Sequence, residues 1–478
     1  MSAPSTAGPE PPAPAPAAAA VAAAVAVAVA AEADVAAKQP AAGGTVAVVP
    51  AAPAEAPEDP VNAPRLSPAA IFVKFLGFGL RAFGGPVAQI NMMREELVVK
   101  EKWISDLRFN RVLGVYQILP GPEATEMACY FGLIAGGRVG SVLGGLGFIT
   151  PGFLLMLLFA YIYQTFGIQN AVFQAIFSAI QPAVCAMVFR AAHKIGEAGT
   201  KNFKTKQFDW RLGLLGAMGA FQSVLNVNFF ITKVHLALLY IALKREMRLL
   251  SWFLGVAPTA AYIVAIALIG PMGDIVPMGI GVANNLGNTY ASHFAVGLLG
   301  GLVTFGGAYT AVPFMQYECV TSGHWLRNAV FLDSLAVGAL LPTPMVMFVT
   351  MVGFVAGSQP AANLGPAGGI VGACLMTLGM FLPAFIFPTL FHEFFESVAK
   401  NRGIVADVLD SMTATIVGLV AYTGCMLMRT SVTRPIDAII FVFSINVLYG
   451  VPHKYTPVFV VLCSALAGVV LFAPGYGP

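Results

Sequence analysis

From residue 68 onward the chain alternates long apolar runs with short polar ones. The runs lie near 68–89, 112–135, 140–164, 170–192, 209–225 and 229–245, then 250–270, then 292–314, 332–357, 366–392, 407–428, 436–450 and 455–473. At typically about 16 to 27 residues they suit helices crossing a roughly 30 Å hydrocarbon core and are too long for barrel strands. The pattern predicts an all-α integral membrane protein.

The runs are duplicated. Ala82-Phe83-Gly84-Gly85-Pro86 returns 222 positions later as Thr304-Phe305-Gly306-Gly307-Ala308. At the same offset Met93 pairs with Met315, Glu96 with Glu318, Trp103 with Trp325, Phe109 with Phe331, Pro120 with Pro342 and Pro122 with Pro344. A ten-residue insertion around Gly357 to Gly369 then moves the offset to 232, so Pro151 meets Pro383. Six runs return the chain to its starting side, and the unpaired run at 250–270 would deliver the second copy upside down. The expected organisation is an Ala/Pro/Val-rich disordered tail over 1–66, an N-terminal repeat over 67–248, a connecting transmembrane helix and loop over 249–290, and an inverted C-terminal repeat over 291–474. No Lys or Arg precedes the apolar stretch Ala17 to Ala31, so a cleaved signal is not expected.

Charge sets the sidedness. Arg190, Lys194, Lys201, Lys204, Lys206 and Arg211, with Lys244, Arg245 and Arg248, place two loops and the N-terminus in the cytoplasm. A spanning reading of every run would export Arg94, Lys100, Lys102, Arg108 and Arg111. The conflict disappears if 68–89 and 112–135 dip in and return, turning at Gly84-Gly85-Pro86 and Pro120-Gly121-Pro122. Non-helical backbone at membrane depth is tolerated only beside protein or a water-filled cavity, so re-entrant tips imply a cavity.

Composition agrees: 58% hydrophobic and 10% charged residues, with mean hydropathy +0.78, require lipid as solvent. A formal net charge of +3 without basic runs points to no nucleic-acid partner. Six cysteines without CxxC spacing and six histidines without paired spacing suggest no metal. No cofactor is expected, and no nucleophile–base pair that would make an enzyme. Without a Walker-type GxxxxGK[ST], transport would be secondary or passive.

Gly-Gly and Pro-x-Pro breaks start new helices, whose N-termini carry free amide donors and about half a positive charge. Pro86 and Glu123 would begin two such half-helices, and Gly306-Gly307 with Pro342-Thr343-Pro344 two more, suiting a tetrahedral oxyanion. Arg81 and Lys74, seven apart on one helical face inside an apolar run, are candidate ligands. Snorkelling to the interface explains Lys74 equally well. Glu123 is a candidate for proton coupling or gating, and complementing a helix dipole explains it as well. Glu126, one turn deeper, is a candidate for proton coupling or for gating by pairing with Arg81. Copy two carries Val296, Val303, Met345 and Phe348 at these positions, confining the charge chemistry to copy one. Gly140 and Gly144 read as helix packing, and Asp333 and Asp410 as segment-end caps.

Phe75-Leu-Gly-Phe-Gly-Leu-Arg-Ala-Phe-Gly-Gly-Pro86, Gln117-Ile-Leu-Pro-Gly-Pro-Glu-Ala-Thr125, Phe305-Gly-Gly-Ala-Tyr309 and Leu341-Pro-Thr-Pro344 resemble the signatures of the chromate ion transporter family in its long, two-domain form. The resemblance covers about 68–473 and departs at Glu126, where an amide is expected. It implies a tandem-repeat secondary carrier that moves chromate outward with proton exchange; a multi-pass place in the plasma membrane, with an organelle membrane as the alternative, and a homodimer are the expected setting and assembly. Sulfate has nearly the shape and charge of chromate, so a sulfate or other oxyanion uptake carrier is the alternative, and an anion channel a further one.

Overall fold

The computed structural model describes residues 61–472 apart from 84, 117–118, 168–170, 201–206, 226, 270–280, 305–307, 360–366, 401–403, 452 and 454. The chain divides into two units, Met1–Ala56 and Pro57–Pro478, and the described residues belong to the second. Copy one comprises α1 (Pro68–Gly79), α2 (Gly85–Met93), α3 (Asp106–Tyr116), α4 (Glu123–Ile162), α5 (Ala171–Gly199), α6 (Trp210–Val224) and α7 (Phe229–Lys244). α8 (Arg248–Ile269) and the short α9 (Val282–Leu286) follow. Copy two comprises α10 (Tyr290–Leu302), α11 (Val312–Gln316), α12 (Asn328–Leu340), α13 (Phe348–Gly357), α14 (Gly368–Lys400), α15 (Ile404–Ser431), α16 (Pro435–Gly450) and α17 (Thr456–Phe472). Among the described residues, four helices are long and apolar enough to cross a membrane: Glu123–Phe166, Ala171–Glu197, Gly368–Glu393 and Asp410–Ser431.

α4 is two arms. Gly136 (φ −153°, ψ 23°) and Gly137 (φ 64°, ψ −158°) interrupt it, the second with a left-handed φ that a side chain would resist. The arm 123–135 folds back along 138–162, and Gly132 abuts Gly140 and Gly144 because missing side chains let the backbones close. α13 and α14 make the same hairpin, with Gly353 against Gly372 and Gly357 against Gly368. The first helix of each copy runs alongside the long arm: Gly79 closes on the Phe148 carbonyl and Gly147 on that of Phe72. In copy two Gly301 closes on the Met380 carbonyl and Gly379 on that of Phe294, the same contacts at offsets of 222 and 232. α2 and α11 both lead into π-helical turns, Arg94–Lys100 and Tyr317–Ser322.

Contacts fix the path of copy one. The twelve residues of α1 rise only about 18 Å, ending level with Phe148, midway along the arm 138–162. The chain then returns, because the Trp103 carbonyl accepts from the Asn62 amide at 2.8 Å, just ahead of α1. The second excursion, through α3 and the arm 123–135, also returns: the Ala135 carbonyl accepts from the Leu66 amide at 3.1 Å. Both excursions thus begin and end at one end of the long arm. These bonds also pin residues 62 and 66, which the composition assigns to a disordered tail; residues 1–60 of that tail lie outside the described residues. Gly145 lies against the Phe385 ring, and Ser141 Oγ lies 2.8 Å from Thr389 Oγ1. One number falls as the other rises, so α4 and α14 cross antiparallel.

Candidate functional site

Where α4 and α14 cross, the described chain breaks of the two copies meet. Each proline cluster packs on the long helix of the other copy: Gly121 against Ala384, and Thr343 against Gly152. Two hydrogen bonds then tie each cluster to the other copy's first break. The Gly121 amide donates to the Thr304 carbonyl at 2.8 Å. Gln89 Nε2 donates to the Thr343 carbonyl at 3.0 Å and to the Ala82 carbonyl at 2.7 Å. Ala82 and Thr304 correspond at the offset of 222, as do Gly121 and Thr343, so the same neighbourhood is built twice with the copies exchanged.

Pro122 is the N-cap of α4, and helix begins at Glu123. α2 begins at Gly85, whose φ of +81° suits only glycine, with Pro86 second in the helix. Gly121 also has a positive φ, +150°. Gly84, Gly306 and Gly307 lie outside the described residues. The copy-one tip presents fewer amide donors than its motif suggests: the Gly121 N–H is taken by Thr304, and Pro120 and Pro122 have none.

Glu123, Thr125 and Glu126 are buried, Glu126 completely, and neither Glu126 carboxyl oxygen has a hydrogen-bond partner among the described residues. A methyl group on Gly121 would stand 2.7 Å from Glu126 Oε1, which places this carboxyl directly behind the tip. Arg81 is not brought to it. The Arg81 guanidinium folds back over the Phe78 ring, and its Nε donates to the Gly77 carbonyl at 2.9 Å. Lys74 forms a 2.6 Å ion pair with Glu101 and lies 5.4 Å over the Trp103 ring, while Trp103 Nε1 donates to Glu101 at 2.8 Å. Lys74 thus faces the returning segment 94–103, where Glu96 pairs with Lys100 at 3.1 Å, while the contacts of Arg81 lie on α1. The Lys100 hydrogen bond, with Arg81 and Lys74 adding their charge, holds the Glu96 carboxyl below its ordinary range against slight burial.

The family model described as chromate transporter matches residues 69–212 and 291–469, one stretch in each copy. A chromate transport protein of Pseudomonas aeruginosa is 38% identical over 423 residues, spanning 87% of this chain and 94% of its own length. The chain belongs to the chromate transporter family. A chromate transport protein of Cupriavidus metallidurans is 27% identical over 412 residues, with 86% of this chain and 95% of the relative covered. An uncharacterized transporter of Bacillus subtilis is 33% identical over 144 residues, where 30% of this chain covers 70% of the relative. No solved structure matches. Family membership together with the long apolar helices makes the chain an integral membrane transporter with an oxyanion substrate.

Three buried groups of this chromate transporter, Asp333, Lys233 and Gln89, were misplaced or missed from the sequence. Asp333 caps nothing; it is the sixth residue of α12 and is bonded by Tyr163 and Gln181 of copy one. Its signal was position alone, which does not distinguish a cap from a cross-copy partner. Lys233 is 4% exposed and lines a small cavity with Ser223, Thr232 and Thr415. A lysine inside the run 229–245 was the available signal. Gln89, also buried, gave none, since an amide within an amphipathic stretch is unremarked by composition.

Proposed function

We propose that this chromate transporter is a secondary carrier that binds a divalent tetrahedral oxyanion at the junction of the broken helices and moves chromate outward, with a proton handled at Glu126. The observation that carries the reading is the exchanged pair of contacts, Gly121 to Thr304 and Gln89 to Thr343, which couples each copy's break to the other's. The antiparallel crossing of α4 and α14 and the contacts repeated at offsets of 222 and 232 support two inverted repeats, the architecture of alternating access around a fixed midplane site. In this reading Arg81 supplies the guanidinium fork, and the backbone at Gly84-Gly85-Pro86, Pro120-Gly121-Pro122 and Gly306-Gly307 supplies dipoles. Lys74 stays in its ion pair with Glu101 and takes no direct part in binding, and Glu123 complements the α4 dipole.

The excursions that return to one end of the arm 138–162 bring Arg94, Lys100 and Arg108 to the end where residues 62–66 lie, and in this reading that positively charged side is the cytoplasmic one. Export of a dianion is then favoured by about 4.6 kcal/mol per 100 mV, negative inside, twice the single-charge value. Counterflow in proteoliposomes tests the carrier: chromate or sulfate inside should accelerate entry of labelled sulfate. Ohmic current without that acceleration would replace the carrier with a channel.

A further inference from the structure

Hydrogen-bond capacity at the junction is unbalanced. Gln89 spends both amide hydrogens on Ala82 and Thr343, and its buried Oε1 has no partner among the described residues. Both oxygens of Glu126 are likewise buried and unpartnered, while the Gly121 N–H is consumed by Thr304. Three buried acceptors at the junction thus lack a donor among the described residues, one of them, Glu126 Oε1, directly behind the Gly121 tip, where the motif suggested donors. A fully deprotonated oxyanion is itself all acceptor, so two acceptor sets would meet with nothing between them, and an unmatched buried acceptor is costly. A proton between them removes the mismatch and makes a short, charge-assisted bond.

Resting on the carrier reading, we infer that the oxyanion is bound with one proton held between one of its oxygens and the Glu126 carboxyl, so that Glu126 selects oxyanions basic enough to share it. Glu126–O–H···O–XO3 and Glu126–O···H–O–XO3 have the same atoms and the same charge. An oxyanion that takes a proton near neutrality, as chromate and phosphate do, stabilises the shared bond; sulfate, a much weaker base of nearly the same shape, does not. The carboxyl therefore supplies the discrimination that shape and backbone dipoles lack. Among the described residues, the titratable groups that face Glu126 are Glu123 on its own helix and the Cys129 thiol one turn on; the α14 surface over the tip brings Ala384, and Gly145 beside Cys129 brings Phe385, neither titratable.

The test is tracer counterflow with full-length protein in proteoliposomes, comparing chromate with sulfate at equal concentration. The wild type should exchange chromate at least about tenfold faster than sulfate near pH 6, and the ratio should fall severalfold by about pH 8 as chromate gives up its own proton. Glu126→Gln keeps the volume but cannot share a proton, and should bring the two rates within about threefold. Equal rates in the wild type, a ratio indifferent to pH, or discrimination that survives Glu126→Gln would each overturn the inference while leaving the carrier intact. If Glu126→Gln exchanges neither anion, the wild-type pH series decides alone. Absence of counterflow for every anion in the wild type would overturn the carrier reading and this inference with it.

Discussion

The phenol of Tyr163 donates a 2.7 Å hydrogen bond to Asp333 Oδ2, joining the end of the long arm of copy one to α12 of copy two. Gln181 Nε2 donates to the other oxygen at 3.0 Å, and Asp333 is 4% exposed. Tyr163→Phe and Asp333→Ala should each cost about 1–3 kcal/mol, because each leaves a buried polar group without its partner. The double variant should lose less than the sum, since both changes remove one shared bond. Thermal unfolding in detergent measures this, and strictly additive losses would mean that the bond contributes nothing.

Matched glycines allow a test of the duplication in energy. A methyl group on Gly79 or Gly301 meets the backbone carbonyl of Phe148 or Met380, and backbone cannot yield as a side chain can. Gly79→Ala and Gly301→Ala should each destabilise by about 1–3 kcal/mol. Gly77, two residues away on α1, has nothing within 4 Å of the added methyl, so Gly77→Ala should be neutral or stabilising by up to about 1 kcal/mol. If Gly301→Ala behaved like Gly77→Ala, the two halves would not share this packing.

The apolar runs and turn chemistry were legible in the sequence because membrane helices carry their signal locally. Helix does start at Glu123 after Pro120-Gly121-Pro122, and at Gly85 within the Gly-Gly-Pro break. Pairing across the copies was not legible. Nothing in the local pattern of Gln89, Asp333 or Tyr163 names a partner 254 or 170 positions away. Side-chain direction was equally hidden: Lys74 looks toward 94–103 and Arg81 lies back on α1, neither toward Glu126. The same ambiguity separates Glu96 from its counterpart Glu318, which is fully buried and accepts from the Gly281 and Ala283 amides.

The segment 94–101 should loosen in acid. Because Glu96 titrates below its ordinary range when folded, the folded segment binds fewer protons than the unfolded one around that range. The contribution is present above the ordinary carboxylate value and is lost as pH falls through the folded one. Hydrogen exchange of 94–101, corrected for intrinsic rates, should therefore quicken between about pH 7 and about pH 3, and more so than in Glu96→Gln. Equal acid sensitivity in that variant would assign the effect to another group.

Arg81 and Lys74 should separate in their roles. Lys74 sits in a half-exposed ion pair with Glu101, a kind worth at most about 1 kcal/mol, so Lys74→Met should change stability by less than that and leave oxyanion exchange within about twofold. Arg81 is exposed and donates to the Gly77 carbonyl, a bond of about 0.5–1.5 kcal/mol, so Arg81→Ala should also fold. Its exchange rate should nevertheless fall at least about tenfold, because a guanidinium–oxyanion contact is worth about 1.5–3 kcal/mol and 1.4 kcal/mol is a factor of ten. Arg81→Lys keeps the charge without the planar fork and should lie between. Counterflow of chromate with the three variants measures these ratios. Wild-type exchange in a folded Arg81→Ala protein would show that the side chain stays where it lies in this structure, against α1, and that the oxyanion is held by other groups at the break.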